Sequence, residues 1–239
     1  LKTLKLYLGL NWLICSMLVK TFGYAVHGIT ATKVTVEVNI GVGVNFYLVG
    51  LPDNAVKESQ QRIATALKQH GYKIPGKQIT VNMAPADIRK EGSAYDLTIA
   101  LGILAASEQI AAEKIGEYVI MGELSLDGEI RPVKGVLPIA ITARQDGFKG
   151  IIIPAQNSNE AAVVEGLEVL YADNIRQVID FFNGAIPLPR AQVDLNDAFL
   201  STTIQNEFDF ADVKGQENIK RALEIAAAGG HNAILIGPP

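Results

Sequence analysis

The sequence predicts a mixed fold of helices and strands, α+β in its first part and α/β in its later part, and three observations predict it. The stretch 33–38 alternates valine with polar residues, which is the period of a half-buried strand. The runs 54–70 and 94–106 have the length and apolar content of helices packed against a sheet. Between residues 117 and 182, short apolar runs alternate with helical stretches, as in βαβ units.

The composition is that of a folded protein and excludes an intrinsically disordered chain. Hydrophobic residues make up 49% of the 239 residues and charged residues 19%, enough for one sizeable domain and the beginning of another. The net charge of −4 gives no general affinity for nucleic acid, so DNA binding would need local basic patches. The single cysteine, Cys15, excludes an internal disulfide framework and predicts a cytoplasmic protein.

The first residues imitate a signal peptide. Lys2 and Lys5 precede the apolar run 6–18, which is too short and too interrupted for a membrane span of about 20 residues. No small-residue cleavage motif follows it. We therefore expect translation to start at Met17 and residues 1–16 to be an upstream extension, with a true signal-like segment as the alternative.

The first predicted strand is followed by a second. Gly41 and Gly43 interrupt the pattern after 33–38, and the apolar run 44–49 is suited to pair with that strand as a hairpin.

The first predicted helix spans 54–70. Asp53 is its expected N-cap, and Gly71 ends it. His70 in the last turn is interpreted as a surface residue compatible with the helix dipole. The apolar face toward the sheet consists of Val56, Ile63 and Leu67.

A strand is predicted at 78–83, before a break at Pro85. The helix 94–106 that follows is apolar nearly all round, which indicates a central position in the fold. Ser93 and Asp96 match the capping-box pattern at its start.

The later part of this region is predicted as a hairpin followed by alternating elements. Asp127-Gly128 is the expected turn between the strand 124–126 and the returning strand 129–131. The remaining predicted elements are a strand at 117–121, helices at 136–145, 157–164 and 174–182, and strands at 151–153 and 167–171.

The last residues resemble the entry to an AAA+ ATPase module. A helix is predicted at 218–228 and a buried strand at 232–236, and a strand running into Gly-Pro-Pro is how a phosphate-binding P-loop begins. In that family the segment corresponding to 213–216 lies by the adenine, and the glycine-rich loop wraps the phosphates. The residues that this resemblance assigns to nucleotide binding are Val213, Gly215, Gln216, Gly237, Pro238 and Pro239.

Two further stretches resemble the protease domain of Lon. They are Glu91-Gly92-Ser93-Ala94 and the longer, more specific segment 122–140. The resemblance implies the same fold, which is similar to domain 2 of ribosomal protein S5.

The resemblance to Lon does not extend to its catalytic residues. Lon-type enzymes use a Ser-Lys dyad. The matching positions here are Ala94 and Leu137, both aliphatic, so we expect no catalytic residues and no metal ligands. A protease that uses Ser93 with Lys134 is the disfavoured alternative.

Taken together, the motifs resemble the magnesium-chelatase-like AAA+ ATPases of the YifB/ComM type. The motifs lie at 17–29, 49–53 and 82–92, and the resemblance runs from Met17 to Pro239. It implies a bacterial cytoplasmic ATPase that forms a hexameric ring, contacts no membrane, and uses ATP and Mg²⁺ in its full-length form. Members of the ComM type are associated with natural transformation as DNA helicases that drive branch migration, so DNA is the expected partner.

This resemblance divides the chain into a Lon-protease-like, ChlI-type domain at 17–184, a linker at 185–206 and the beginning of an AAA+ domain at 207–239. The last segment stops inside the Walker A motif, before the lysine and hydroxyl of the P-loop. We therefore expect an ATPase in the full-length protein and no ATP hydrolysis by these 239 residues.

Two other functions stay open. The protein could be a metal-insertion ATPase subunit, since the AAA+ module resembles magnesium chelatase, or the front domain could recruit another protein to the ring. His27-Gly28 and Asp53-Asn54 are either part of a DNA-binding surface or simply turn and cap residues.

Overall fold

The computed structural model describes residues 18–193 and 210–237. They belong to two compact units, with the division after Val193. The expected upstream extension 1–16 lies outside the described residues, as do Pro238 and Pro239.

The first unit is built from strands and helices in alternation. Its strands are β1 (Val19–His27), β2 (Thr30–Gly41), β3 (Phe46–Val49), β4 (Gln78–Ala84), β5 (Tyr118–Ile120), β6 (Glu123–Leu124), β7 (Ile130–Arg131), β8 (Gly150–Pro154) and β9 (Glu168–Ala172). Its helices are α1 (Asn54–Gln69), α2 (Asp96–Ala106), α3 (Val136–Gln145), α4 (Ser158–Ala162) and α5 (Ile175–Phe182).

The strands form one mixed seven-stranded sheet in the order β3-β4-β2-β1-β5-β8-β9. The pairs β1–β2 and β2–β4 are antiparallel, and the other four pairs are parallel. The predicted mixed α/β class and the βαβ character of the later part are confirmed, because β5, β8 and β9 run parallel with helices between them. The predicted hairpin is confirmed as the separate pair β6–β7.

The strand predicted at 33–38 is confirmed, but its hairpin partner was predicted wrongly. β2 forms its hairpin with β1 through a two-residue turn in which Gly28 has φ 62°. β4 takes the other edge of β2. The run 44–49 supplies β3, which pairs in parallel with β4 at the edge of the sheet. Both edges of β2 are therefore occupied by other strands.

Helices cover both faces of the sheet. Thr21 of β1 donates a hydrogen bond to the carbonyl of Thr98 in α2 (3.1 Å). Tyr24, on the opposite face of β1, donates to the carboxylate of Asp146 at the end of α3 (2.7 Å). Burial, reinforced by Asp146, raises the pKa of Tyr24, so this phenol stays a donor.

All eleven residues of α2 are buried, which confirms its predicted central position. Helix and sheet approach closely because Gly102 has no side chain: a Cβ there would lie 2.8 Å from a methyl group of Val38.

The predicted capping box at the start of α2 is wrong. Ser93 donates its hydroxyl to the carboxylate of Glu123, and no side chain caps the helix. The Asp96 carboxylate instead receives two hydrogen bonds from Arg62, at 2.7 and 3.0 Å, and one from the backbone N–H of Leu124. Burial raises the pKa of Asp96, against the effect of Arg62. A guanidinium satisfies this buried carboxylate better than a single backbone N–H could.

Part of the predicted linker is attached to the sheet. Tyr171 of β9 donates its backbone N–H to the carbonyl of Pro189 (3.2 Å), and Ala191 donates to the carbonyl of Val169 (2.9 Å). Leu188 is buried beside them. These contacts cover the outer edge of β9.

The second unit contains one α-helix, α6 (Glu217–Gly229), within its described residues, which confirms the predicted helix. The buried strand predicted at 232–236 is wrong for this chain. The segment has no regular secondary structure, and Ile234 and Ile236 are 84% and 90% exposed. A strand needs a neighbour for its backbone groups, and the described residues of this unit provide none.

Candidate ligand-binding cleft and nucleotide motif

A cleft of about 600 Å³ opens in the first unit where β1 ends. Three segments form its walls: the end of β1 from Tyr24 to Gly28, the loop 89–95 before α2, and the loop 132–135 before α3. The segments that resemble Lon therefore come together in space.

The loop 89–95 is held in place by a buried lysine. The side chain of Lys90 is fully buried, and its amine donates a hydrogen bond to the carbonyl of Pro85. Burial lowers the pKa of this amine, and nearby Asp87 opposes the effect. The backbone of Lys90 also accepts the N–H of Asp53 (3.0 Å) and donates to the carbonyl of Leu51 (3.3 Å). Sequence reasoning missed this role, because lysine is almost never fully buried.

Gly50 lets the segment before α1 approach β4. Its φ is 100°, and a Cβ there would lie 2.1 Å from the carbonyl oxygen of Met83. The motifs at 49–53 and 82–92, recognised separately in the sequence, thus pack together, and the end of the second motif lines the cleft.

Asp53 is a cap, not a surface ligand. One carboxylate oxygen accepts the N–H of Val56 (2.8 Å), which confirms the predicted N-cap. The other oxygen accepts the N–H of Gly92 (3.0 Å), so the same side chain fixes the loop before α2. Gly28 is a turn residue, whereas His27 is exposed and lines the cleft.

The positions of the Lon dyad carry no nucleophile and no base. Ala94 lines the cleft, and Leu137 donates its backbone N–H to Glu160 (2.9 Å). The alternative pair, Ser93 and Lys134, lies at the cleft, but the two side chains do not form a hydrogen bond with each other. Ser93 is engaged by Glu123, and among residues 18–193 no hydrogen bond links the Lys134 amine to the Ser93 hydroxyl. The dyad mechanism requires a lysine amine beside the serine hydroxyl, and Ser93 has a carboxylate there instead.

The nucleotide motif is exposed in the second unit. Val213 is 44% exposed, and Gly215 and Gln216 have left-handed backbones, with φ 68° and 60°, directly before α6. Gly237 is exposed as well. The assignment of these residues to nucleotide binding stays a prediction, and Pro238 and Pro239 lie outside the described residues.

In the ranges 18–193 and 210–237, no helix is long and apolar enough to cross a membrane.

Comparison with known proteins relates this chain first to a subunit of magnesium chelatase and then to one family. The model for subunit ChlI of Mg-chelatase matches residues 36–157, and a second model, magnesium chelatase subunit ChlI, matches residues 209–239. The chain belongs to the YifB/ComM magnesium-chelatase-like family.

Three relatives illustrate this relationship. Competence protein ComM of Haemophilus influenzae is 44% identical over 213 residues, and the uncharacterized protein YifB of Escherichia coli is 46% identical over the same length. Each match covers 89% of this chain but only 42% and 41% of the relative. Lon protease 2 of Bacillus subtilis is 30% identical over 125 residues, which are 52% of this chain and 22% of that protein. The chain thus spans less than half the length of its relatives.

Proposed function

We propose that this chain is the front part of a ComM-type AAA+ ATPase, a hexameric DNA helicase that drives branch migration during natural transformation in the bacterial cytoplasm. The observation that carries the proposal is the 44% identity to a competence protein along 213 residues, which are 89% of this chain. DNA and further copies of the same protein are the proposed partners.

In this proposal the first unit is a Lon-protease-like domain, similar in fold to domain 2 of ribosomal protein S5, that has lost proteolysis. The identity to Lon protease 2 and the mixed sheet support the fold. The aliphatic side chains of Ala94 and Leu137 support the loss of proteolysis. The domain would then act as a scaffold or as a binding module.

The second unit would contribute to ATP and Mg²⁺ binding in the full-length protein. Its backbone fits a role beside the adenine. Gly215 has open space around its α-carbon, and exposed Val213 offers an apolar contact. Glu217 puts a negative charge in the first turn of α6, which disfavours phosphate at that helix end. The phosphates would therefore lie at the loop that begins with Gly237, and Mg²⁺ would neutralise charge on them.

ATP hydrolysis by the complete gene product tests this proposal. We expect turnover to be stimulated by forked or three-stranded DNA, and the stimulation to disappear in a variant that lacks the P-loop lysine. The 239-residue chain should show no specific turnover. Hydrolysis indifferent to DNA would contradict the proposal.

A metal-insertion ATPase subunit is the second candidate, because both matching family models describe the ChlI subunit of magnesium chelatase. This function predicts that chelatase partner subunits stimulate ATP hydrolysis and that branched DNA does not. The same assay therefore separates the two candidates.

A further inference from the structure

The end of β1 lacks a neighbour on one side. β1 pairs with β5 at Phe22 and Val119, but β5 ends at Ile120, while β1 continues to His27. The sheet is therefore open along the last residues of β1, where that strand lines the cleft.

The register of the β1–β2 hairpin shows which backbone groups face this opening. His27 and Thr30 flank the two-residue turn as a hydrogen-bonded pair. The backbone N–H and C=O groups of odd-numbered residues in β1 therefore bond to β2, and those of even-numbered residues point away from β2. Tyr24 confirms this orientation: its N–H contacts the sulfur of Met121 (3.4 Å), and its carbonyl accepts the hydroxyl of Tyr95 (3.1 Å).

Val26 is the next even-numbered residue, and its N–H and C=O have no hydrogen-bond partner in the part of the chain that the structure describes. Val26 is one of the residues that line the cleft. Gly135 packs against the Val26 side chain so tightly that a Cβ there would lie 2.9 Å from a methyl carbon. The backbone edge of Val26 can thus accept one more strand, as strand-addition sites do.

The charges around the cleft favour one kind of ligand. Arg89 is paired with Glu91 (3.3 Å), and Glu123 is engaged by Ser93. Lys134 is exposed and has no ion-pair partner within residues 18–193 and 210–237. Glu123 is also paired with Arg131 (3.7 Å), so both carboxylates at the cleft are compensated and Lys134 is the charge left to be complemented by one acidic side chain.

We propose that this cleft binds an extended polypeptide segment, which pairs with the free edge of β1 at Val26 and directs an acidic side chain to Lys134. The segment is held and not cut, since the positions of the Lon dyad are the aliphatic Ala94 and Leu137 and no hydrogen bond within residues 18–193 joins Ser93 to Lys134. This site needs neither nucleotide nor DNA, so it is independent of the proposed motor function.

The test uses the 239-residue chain and a pool of acetylated, amidated hexapeptides with one central glutamate and random flanking residues. Immobilised protein should retain peptides from this pool, and Lys134→Glu protein should retain far fewer. The best-retained peptide, labelled with fluorescein, then gives dissociation constants by anisotropy. We expect Lys134→Glu to weaken binding at least tenfold, and a glutamate-to-lysine peptide to regain affinity for that variant.

A second probe addresses the strand pairing itself. Methylation of the peptide amide that donates to the Val26 carbonyl should weaken binding at least tenfold, because a methylated amide cannot donate. This probe leaves the protein unchanged, so folding defects cannot explain a loss.

Lys57→Glu is the matched control, since Lys57 is an exposed lysine on α1 that does not line the cleft. It should bind the labelled peptide within twofold of the unaltered chain. The proposal is overturned if the pool is retained equally by Lys134→Glu protein, if amide methylation has no effect, or if labelled single-stranded DNA displaces the peptide from the cleft.

Discussion

Gly50 in the first unit and Gly215 in the second both have left-handed backbones, with φ 100° and 68°, but their surroundings differ completely. A Cβ at Gly50 would collide with the Met83 carbonyl at 2.1 Å, whereas a Cβ at Gly215 would meet nothing within 4 Å. The contrast is general: the first unit has an extensive buried core, and no described residue of the second unit is buried. In the first unit, packing against neighbouring residues determines the conformation of the motifs. In the second unit, the motifs are recognised from their sequence alone.

The largest expected effect comes from the buried ion pair of the first unit. Asp96→Ala leaves the Arg62 guanidinium without its carboxylate, and we expect the free energy of unfolding to fall by about 3–5 kcal/mol. Urea denaturation followed by far-ultraviolet circular dichroism measures the change. The exposed pair in the second unit (2.9 Å, against 2.7 Å for the buried pair) provides the contrast: Glu224→Ala removes the partner of Arg221 and should cost less than about 0.5 kcal/mol.

The two glycines provide the next test. Gly50→Ala adds a backbone clash to the strain of a positive φ and should destabilise the first unit by about 3 kcal/mol. Gly215→Ala adds only a conformational strain of about 1–2 kcal/mol. Because no described residue of the second unit is buried, this substitution should leave the cooperative unfolding of the first unit unchanged. Equal losses in the two variants, measured by the same denaturation, would remove the distinction between the units.

A smaller effect depends on pH. The amide of Asn82 (3.0 Å) and the amine of Lys20 (3.1 Å) lower the pKa of Glu37. Folding therefore favours the ionised form of Glu37. The stability that this carboxylate contributes is fully present above the pKa of Glu37 in the unfolded chain, and it is lost as pH falls through the lower pKa of Glu37 in the folded chain. Glu37→Gln should cost less than about 1 kcal/mol at pH 7. The two proteins should converge in stability as pH falls below the folded pKa of Glu37.

The last prediction is that Ser93 has no effect on peptide hydrolysis. If the cleft binds without cutting, casein incubated with the chain should stay intact, and Ser93→Ala should change nothing. Casein hydrolysis that this substitution abolishes would instead establish Ser93 as a nucleophile.

Local patterns predicted much of the fold. The N-cap Asp53 and the span of α3 follow from signals within a few residues. The pairing of β3 with β4 did not follow, because it joins segments that are about 30 residues apart, and no turn signal identifies the partner.

The candidate site was predicted only in part. Resemblance to Lon identified the loops that form the cleft, since their residue patterns are specific. It did not reveal the free backbone edge of Val26, which exists because β5 ends early, or the burial of Lys90, which contradicts the usual preference of lysine for water.

Hydrogen exchange along the 239-residue chain tests the difference between the two units most directly. The account predicts strongly protected amides in α2 and amides in α6 that exchange almost as fast as an unfolded chain, because every residue of α2 is buried and no residue of α6 is. In the complete gene product, α6 should become protected and α2 should not change. Protection of α6 equal to that of α2 in the 239-residue chain would contradict this account.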